Sequence, residues 1–289
     1  MKRITFLLFI IAFLSCNRHQ GSSPGERIIT VSIAPYKYFV EAIADSDFVV
    51  NIMVPPGSDP HVYEPVPDQI VKLKKSEGYI SNGYLGFEMI WLSRFYEVNR
   101  RMEKLSLDAN IEPIVSTDHH EGDHVEGADP HYWVSPQCAM KMAASVRDFL
   151  SQLNPKATER YRKNCDVLLS RIGELDKKAS SIFSAAKRKS FMIYHPNLAY
   201  LARDYGLKEI SVETDGKEPS PSGMKSLVDE ALAEGIHTVF LQREYDPRNA
   251  RAVAAEIGAE IVVIDPLSAD WLNSTSAIID ELGKSLNQI

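Results

Sequence analysis

Two short stretches hold the residues best suited to chemistry. One is Gly57-Ser58-Asp59-Pro60-His61-Val62-Tyr63-Glu64-Pro65, and the other is Asp129-Pro130-His131-Tyr132-Trp133-Val134-Ser135-Pro136. Each contains an Asp-Pro-His triplet. Proline fixes φ, removes an amide donor and pushes the preceding residue towards an extended conformation. Each histidine is therefore expected on a stiff loop, and two stiff loops that aim imidazoles at one point suit a metal ion. Two more residues have comparable settings. His195 ends an apolar run and precedes Pro196, and Asp265 ends another and precedes Pro266. Three neutral imidazoles and one carboxylate satisfy a divalent ion at four-coordination, with zinc–nitrogen distances of about 2.0–2.1 Å. Imidazole-rich sets suit zinc, whereas more oxygen donors suit manganese. Taken singly, a histidine after a strand is more often a hydrogen-bonded structural residue, and an aspartate before proline a turn residue. Repetition and shared placement are what point to a site.

The elements that must carry these residues alternate. Residues 28–34, 48–54, 78–81 and 111–115 read as strands, separated by helices at 36–44, 67–76 and 87–96. A helix over 136–153 follows the second triplet, and Pro155 opens a stripe of apolar positions to about residue 186 at helical spacing. That length spans roughly 48 Å and reads as one helix linking two lobes. Strands at 190–194, 207–212, 238–241 and 260–264 then alternate with helices at 197–205, 223–234, 247–257 and 275–286. The pattern predicts an α/β protein of two lobes, each a parallel sheet flanked by helices. The expected division is a leader at 1–16, a tether at 17–27, a first lobe at 28–154, the linking helix at 155–187 and a second lobe at 188–289. In open α/β sheets ligands bind beyond the carboxyl ends of strands, so His61, His131, His195 and Asp265 are expected to meet in the cleft between the lobes.

Composition bounds the rest. The chain has 289 residues, 44% hydrophobic and 25% charged, with a formal net charge of −7. This is a globular composition, and its acidity argues against nucleic acid as a partner. Lys2, Arg3 and the apolar run 4–14 form a targeting segment too short for a stable membrane anchor. It ends at Phe13-Leu14-Ser15-Cys16, which resembles the lipobox of bacterial lipoproteins and implies acylation at Cys16. The polar stretch after it reads as a flexible tether. Cys138 and Cys165 are expected as buried free thiols. On helices joined near Pro155 they would sit about 24 and 15 Å from the turn, and a disulfide needs Cα atoms roughly 4.4–6.8 Å apart. The loop 117–127 carries His119, His120 and His124 among acids, which suits accessory cation capture or simple solvation.

The pieces Gly-Ser-Asp-Pro-His-Val-Tyr-Glu-Pro, Asp-Pro-His-Tyr-Trp-Val-Ser-Pro, Tyr-His-Pro-Asn-Leu-Ala-Tyr-Leu and Ile-Asp-Pro-Leu resemble the zinc/manganese cluster of ABC-transporter solute-binding proteins. The likeness runs in order along nearly the whole chain after the leader and is greatest to the zinc-uptake branch, often called ZnuA-like. It implies two α/β lobes joined by a rigid helix, a metal in the cleft, and delivery to a membrane permease by a monomer held outside the cytoplasm through lipid at Cys16. Carried over by motif, the ligands are His61, His131, His195 and Asp265. Glu64 and Gln242 are expected to support them. Manganese and iron binders of the family resemble the same pattern with a carboxylate at the third histidine, here His195, which favours Zn2+ over Mn2+ as cargo.

Two other classes remain to be weighed. A zinc hydrolase would use three ligands, a bound water and Glu64 as base, but a fourth protein ligand at Asp265 would close the open position such enzymes need. The chain also lacks a His-Glu-x-x-His arrangement. An adhesion or structural lipoprotein would need no tightly held metal.

Overall fold

A computed structural model describes residues 26–115, 127–213 and 219–288. Cys16, most of the tether, and His119, His120 and His124 lie outside these residues.

The first half carries β1 (Ile28–Ile33), α1 (Ala34–Ala44), β2 (Val49–Val54), α2 (Pro67–Leu73), β3 (Ser76–Ser81), α3 (Gly86–Val98), β4 (Glu103–Ser106) and α4 (Pro136–Leu153). The strands form one parallel sheet in the order β2-β1-β3-β4. The second half carries β5 (Ser190–Ile193), α6 (Ala199–Tyr205), β6 (Lys208–Ser211), α7 (Pro221–Ala233), β7 (Thr238–Gln242), α8 (Pro247–Ile257), β8 (Glu260–Ile264) and α9 (Trp271–Ser285). Its sheet is also parallel, in the order β6-β5-β7-β8. The two-lobe α/β class read from the alternation is the observed one. Both sheets turn their carboxyl ends, where the loops leave for the helices, towards one cleft.

One strand differs from expectation. Residues 111–115 form no strand and contribute only an isolated bridge, Val115 to Ala128. The strand at the sheet edge is β4, paired with β3 from Gly78–Glu103 to Ser81–Ser106. Its sequence Glu-Lys-Leu-Ser is largely exposed. An edge strand needs only one bonded neighbour and little burial, so it carries no apolar run to betray it.

The linking helix α5 (Thr158–Ser184) has 27 residues, which is about 40 Å. It is shorter than expected because 155–157 make a tighter 3-10 turn and the helix stops at Ser184. Tyr161, Cys165, Leu168, Ile172, Leu175, Ala179 and Phe183 make its buried stripe. That stripe packs on α4 and α1 in the first half, and on α6 and α9 in the second. As a result one apolar core runs from Val31 and Tyr36 through Ile172 and Phe183 to Phe240, Trp271 and Ile278. The two lobes share this core, and a smaller cluster around Val239, Ala250 and Val253 serves the second alone. Cys138 and Cys165 are buried and unbridged.

Candidate metal centre

Each Asp-Pro-His triplet folds as the short side chain of aspartate allows. The Asp59 Oδ1 accepts the His61 amide at 2.8 Å, and the Asp129 Oδ1 accepts the His131 amide at 2.7 Å. This is an Asx turn, a side chain capping the backbone two residues on. Asp129 does more. The same oxygen lies 2.9 Å from His131 Nδ1, so the ring presents Nε2 to the cleft. The third histidine stands two residues past the end of β5. Gln242 holds it at the backbone, accepting the His195 amide at 3.3 Å and donating through Nε2 to its carbonyl. His195 Nδ1 meets the Glu213 carboxylate, which again leaves Nε2 facing outwards. Tyr245 stacks on the His195 ring with centroids 4.9 Å apart and planes at 20°.

The three rings converge. Centroids are 5.3 Å apart for His61 and His131, 5.0 Å for His61 and His195, and 5.2 Å for His131 and His195. Among the described residues, these three form the one group with donor atoms all within 4.8 Å of one another. His61 Nε2 and His195 Nε2 are 3.2 Å apart. A tetrahedral zinc with nitrogens about 2.05 Å away has an edge of about 3.3 Å, so that spacing suits two ligands of one ion. The rings lie in a cleft of about 780 Å³ whose walls include Asp59, Asp129, Ser211, Glu213 and Tyr245.

The electrostatics favour neutral imidazoles. Burial pushes the pKa of His61, His131 and His195 below the ordinary 6.5, and neighbouring imidazoles push the same way. Asp129 opposes this at His131, and Glu213 opposes it at His195. Burial alone would raise the Asp129 carboxyl, but the charge and hydrogen bonds of His131 bring it below its ordinary value. Three closely packed imidazoles repel one another when charged, and a metal binds only their neutral forms.

The remaining expected residues fall out differently. Asp265 is outside the convergent group. Its Oδ2 lies 3.3 Å from Arg243 Nη1, while Ser274 and the Ser268 amide hold its carbonyl. The reason is local: β7 and β8 are adjacent, so a cation just past the end of β7 lies beside a carboxylate just past the end of β8. Glu64 is exposed and is not among the residues lining the cleft. Its loop instead turns Asp59, His61 and Val62 towards the cavity. Gln242 is fully buried and supports His195 through its backbone. Glu213 and Tyr245 were missed from sequence. The available signal was position, since Glu213 follows β6 as His195 follows β5.

The family model described as "ZnuA: Zinc-uptake complex component A periplasmic" matches residues 29–284. The zinc-binding lipoprotein AdcA of Streptococcus pneumoniae (strain ATCC BAA-255 / R6) is 26% identical over 291 residues, covering 96% of this chain and 58% of its own length. The chain thus spans less than two thirds of that relative. A putative metal-binding protein of Chlamydia trachomatis serovar D is 30% identical over 277 residues, covering 96% of this chain and 97% of its own. A crystal structure of ZnuA superposes with a TM-score of 0.84 at 33% identity, covering 90% of this chain and 99% of that one. A zinc-bound deletion mutant of ZnuA gives 0.84 at 33%, covering 91% and 99%.

Proposed function

Because the chain belongs to the ZnuA family of periplasmic zinc-uptake components, we propose that it captures zinc outside the cytoplasm and hands it to an ABC-type permease. The family is one of metal-binding solute-binding proteins rather than enzymes. The observation that carries the reading is the convergence of His61, His131 and His195, with two Nε2 atoms 3.2 Å apart. Imidazole donors favour zinc over manganese. His131 Nδ1 and His195 Nδ1 are taken up by carboxylates, which sets the metal-binding tautomer and raises ligand basicity.

A fourth position remains for a water or for Asp265, which must first exchange Arg243 for the cation. Asp265→Ala lowers zinc affinity if the carboxylate joins the site and leaves it unchanged if water does. Release would begin at His61, which is only partly buried where His131 and His195 are buried. Lobe closure is small in this reading, because Trp133 Nε1 donates to Pro266 O at 2.8 Å and Trp271 Nε1 to Trp133 O at 2.7 Å behind the cleft. Lipid at Cys16 would keep the protein at a membrane surface near its permease.

The deciding experiment is elemental analysis of protein purified without added metal, followed by competition between zinc and manganese at matched free concentrations. Co-purified zinc and preference for zinc are expected. Protein free of metal that binds neither ion tightly would overturn the reading.

A further inference from the structure

Both first-lobe histidines lean on a single segment that supplies none of the residues lining the cleft. This is the turn from β3 into α3, residues 82–88. Asn82 is fully buried and forms its hub. Its Nδ2 donates to Tyr36 Oη at 2.7 Å and to the Pro130 carbonyl at 2.9 Å, so it grips the residue just before His131. Its own carbonyl accepts from Tyr132 Oη, on the residue just after. Its Oδ1 accepts the Tyr84 amide at 3.0 Å. The hub is locked from behind by Glu88, whose two oxygens accept the amides of Asn82 and Gly83, each at 2.7 Å.

The other end of the segment meets the other loop. A Cβ placed on Gly86 would stand 2.7 Å from the His61 carbonyl oxygen, and the Phe87 amide reaches the Pro60 carbonyl at 3.4 Å. Gly86 opens α3 in an ordinary backbone conformation. Its lack of a side chain therefore serves the approach of His61 rather than any backbone need. Among the described residues, no hydrogen bond joins the His61 loop directly to the His131 loop, and both rest on this turn.

We infer that the Asn82–Glu88 turn is a positioning element, spacing His61 and His131 for a small tetrahedral ion without contacting it. The inference rests on the metal-binding reading above. Outer partners of this kind typically change metal affinity by roughly 10–100-fold.

Gly86→Ala is the sharpest test. Alanine is the better helix former, but its methyl meets the His61 carbonyl whatever the segment does, so stability alone does not separate the roles. If the segment spaces the ligands, that displacement of the His61 loop carries through to zinc affinity and selectivity. Zinc affinity is measured by competition with a chromophoric chelator, and melting temperature and circular dichroism report folding. The expected result for Gly86→Ala is a folded protein with zinc affinity down about tenfold and a reduced preference for zinc over manganese. Gly173→Ala serves as control. It lies within α5 with nothing within 4 Å of its added Cβ, so it has the same helical gain and should leave affinity unchanged. Asn82→Asp, which removes the donors to Pro130 and Tyr36 at constant shape, should also weaken zinc. Folded Gly86→Ala with wild-type affinity and selectivity overturns the inference. If that variant fails to fold, unchanged affinity in Asn82→Asp overturns it instead. A wild-type protein that binds no zinc would sink the functional reading itself, which is a separate result.

Discussion

The first sheet runs β2-β1-β3-β4 and the second β6-β5-β7-β8, the same order of parallel strands. From this common frame the two halves aim histidines by different means. The first supplies two, on loops stiffened by proline and closed by Asx turns, with the Asn82–Glu88 turn beneath them. The second supplies one, His195, set directly at a strand end and braced by Gln242, Glu213 and Tyr245. In the first half proline and the Asx turns fix the loop backbone, with Asp129 also orienting the His131 ring, and in the second the bracing comes from side chains alone. A long loop can be fixed by restricting its dihedrals, whereas a residue at a strand end already has a fixed backbone and needs only its ring oriented.

The largest test of this contrast removes whole ligands. His195→Ala takes away the only imidazole that the second half gives to the convergent group, leaving the two from the first. His131→Ala leaves one imidazole from each half. Each should cost roughly a hundredfold or more in zinc affinity, beyond the range for outer partners. Isothermal or competition titration should place His195→Ala at least as low as His131→Ala.

Next come the braces. Glu213→Ala frees the His195 ring, and a loss of about 10–100-fold is expected. Asp129→Asn should cost less, because an amide oxygen still accepts the His131 amide and the Asx turn survives. Equal losses would erase the distinction between backbone and side-chain control.

The pH profile comes third. All three imidazoles are held below the ordinary 6.5, chiefly by burial. They stay neutral to lower pH than free histidines, so zinc affinity should hold down to about pH 6.5 and fall below it. Competition titrations at pH 7.5, 6.5 and 5.5 check this, and a profile flat to pH 5.5 would count against an all-imidazole core. The same lowered values mean that the histidines' contribution to stability is present above their unfolded pKa and is lost as pH falls.

The smallest effect concerns two buried carboxylates, one in each half. Glu88 accepts the amides of Asn82 and Gly83, and Glu209 accepts the Leu198 amide at 2.7 Å just beyond His195. Burial raises Glu88 to about 7 and Glu209 to about 8 from 4.5. A raised folded value means that their share of stability is full below the unfolded pKa and is lost as pH rises through 7 to 8. Glu88→Gln and Glu209→Gln should each flatten the alkaline decline in the metal-free protein's melting temperature by roughly a few degrees. Thermal melts between pH 5 and 8 measure it.

How far the molecule could be read in advance varied with burial. Central strands such as β1 and β7 announce themselves by runs rich in apolar residues, because both faces are covered. The edge strand β4 gives no such signal, and Ile111 and Ile114 proved to pack on the core from outside any strand. His61, His131 and His195 were legible because proline or a strand end fixes each backbone. Asp265 looked equivalent, yet it faces Arg243, a residue far away in sequence that strand pairing brings alongside. Glu213, Tyr245 and Asn82 reach the histidines or their loops only across long separations in the chain, so no local pattern marks them.

The order of residues alone therefore determined the class of fold, the places where the chain turns, and three imidazoles on restrained backbone. These depend on periodicity and on proline, which act over a few residues. Folding decided which neighbour each strand end would face and which nitrogen each ring would offer. Those outcomes depend on pairs of groups brought within a few ångströms by sheet register and a shared core, and register is a property of strands in company rather than of any strand by itself.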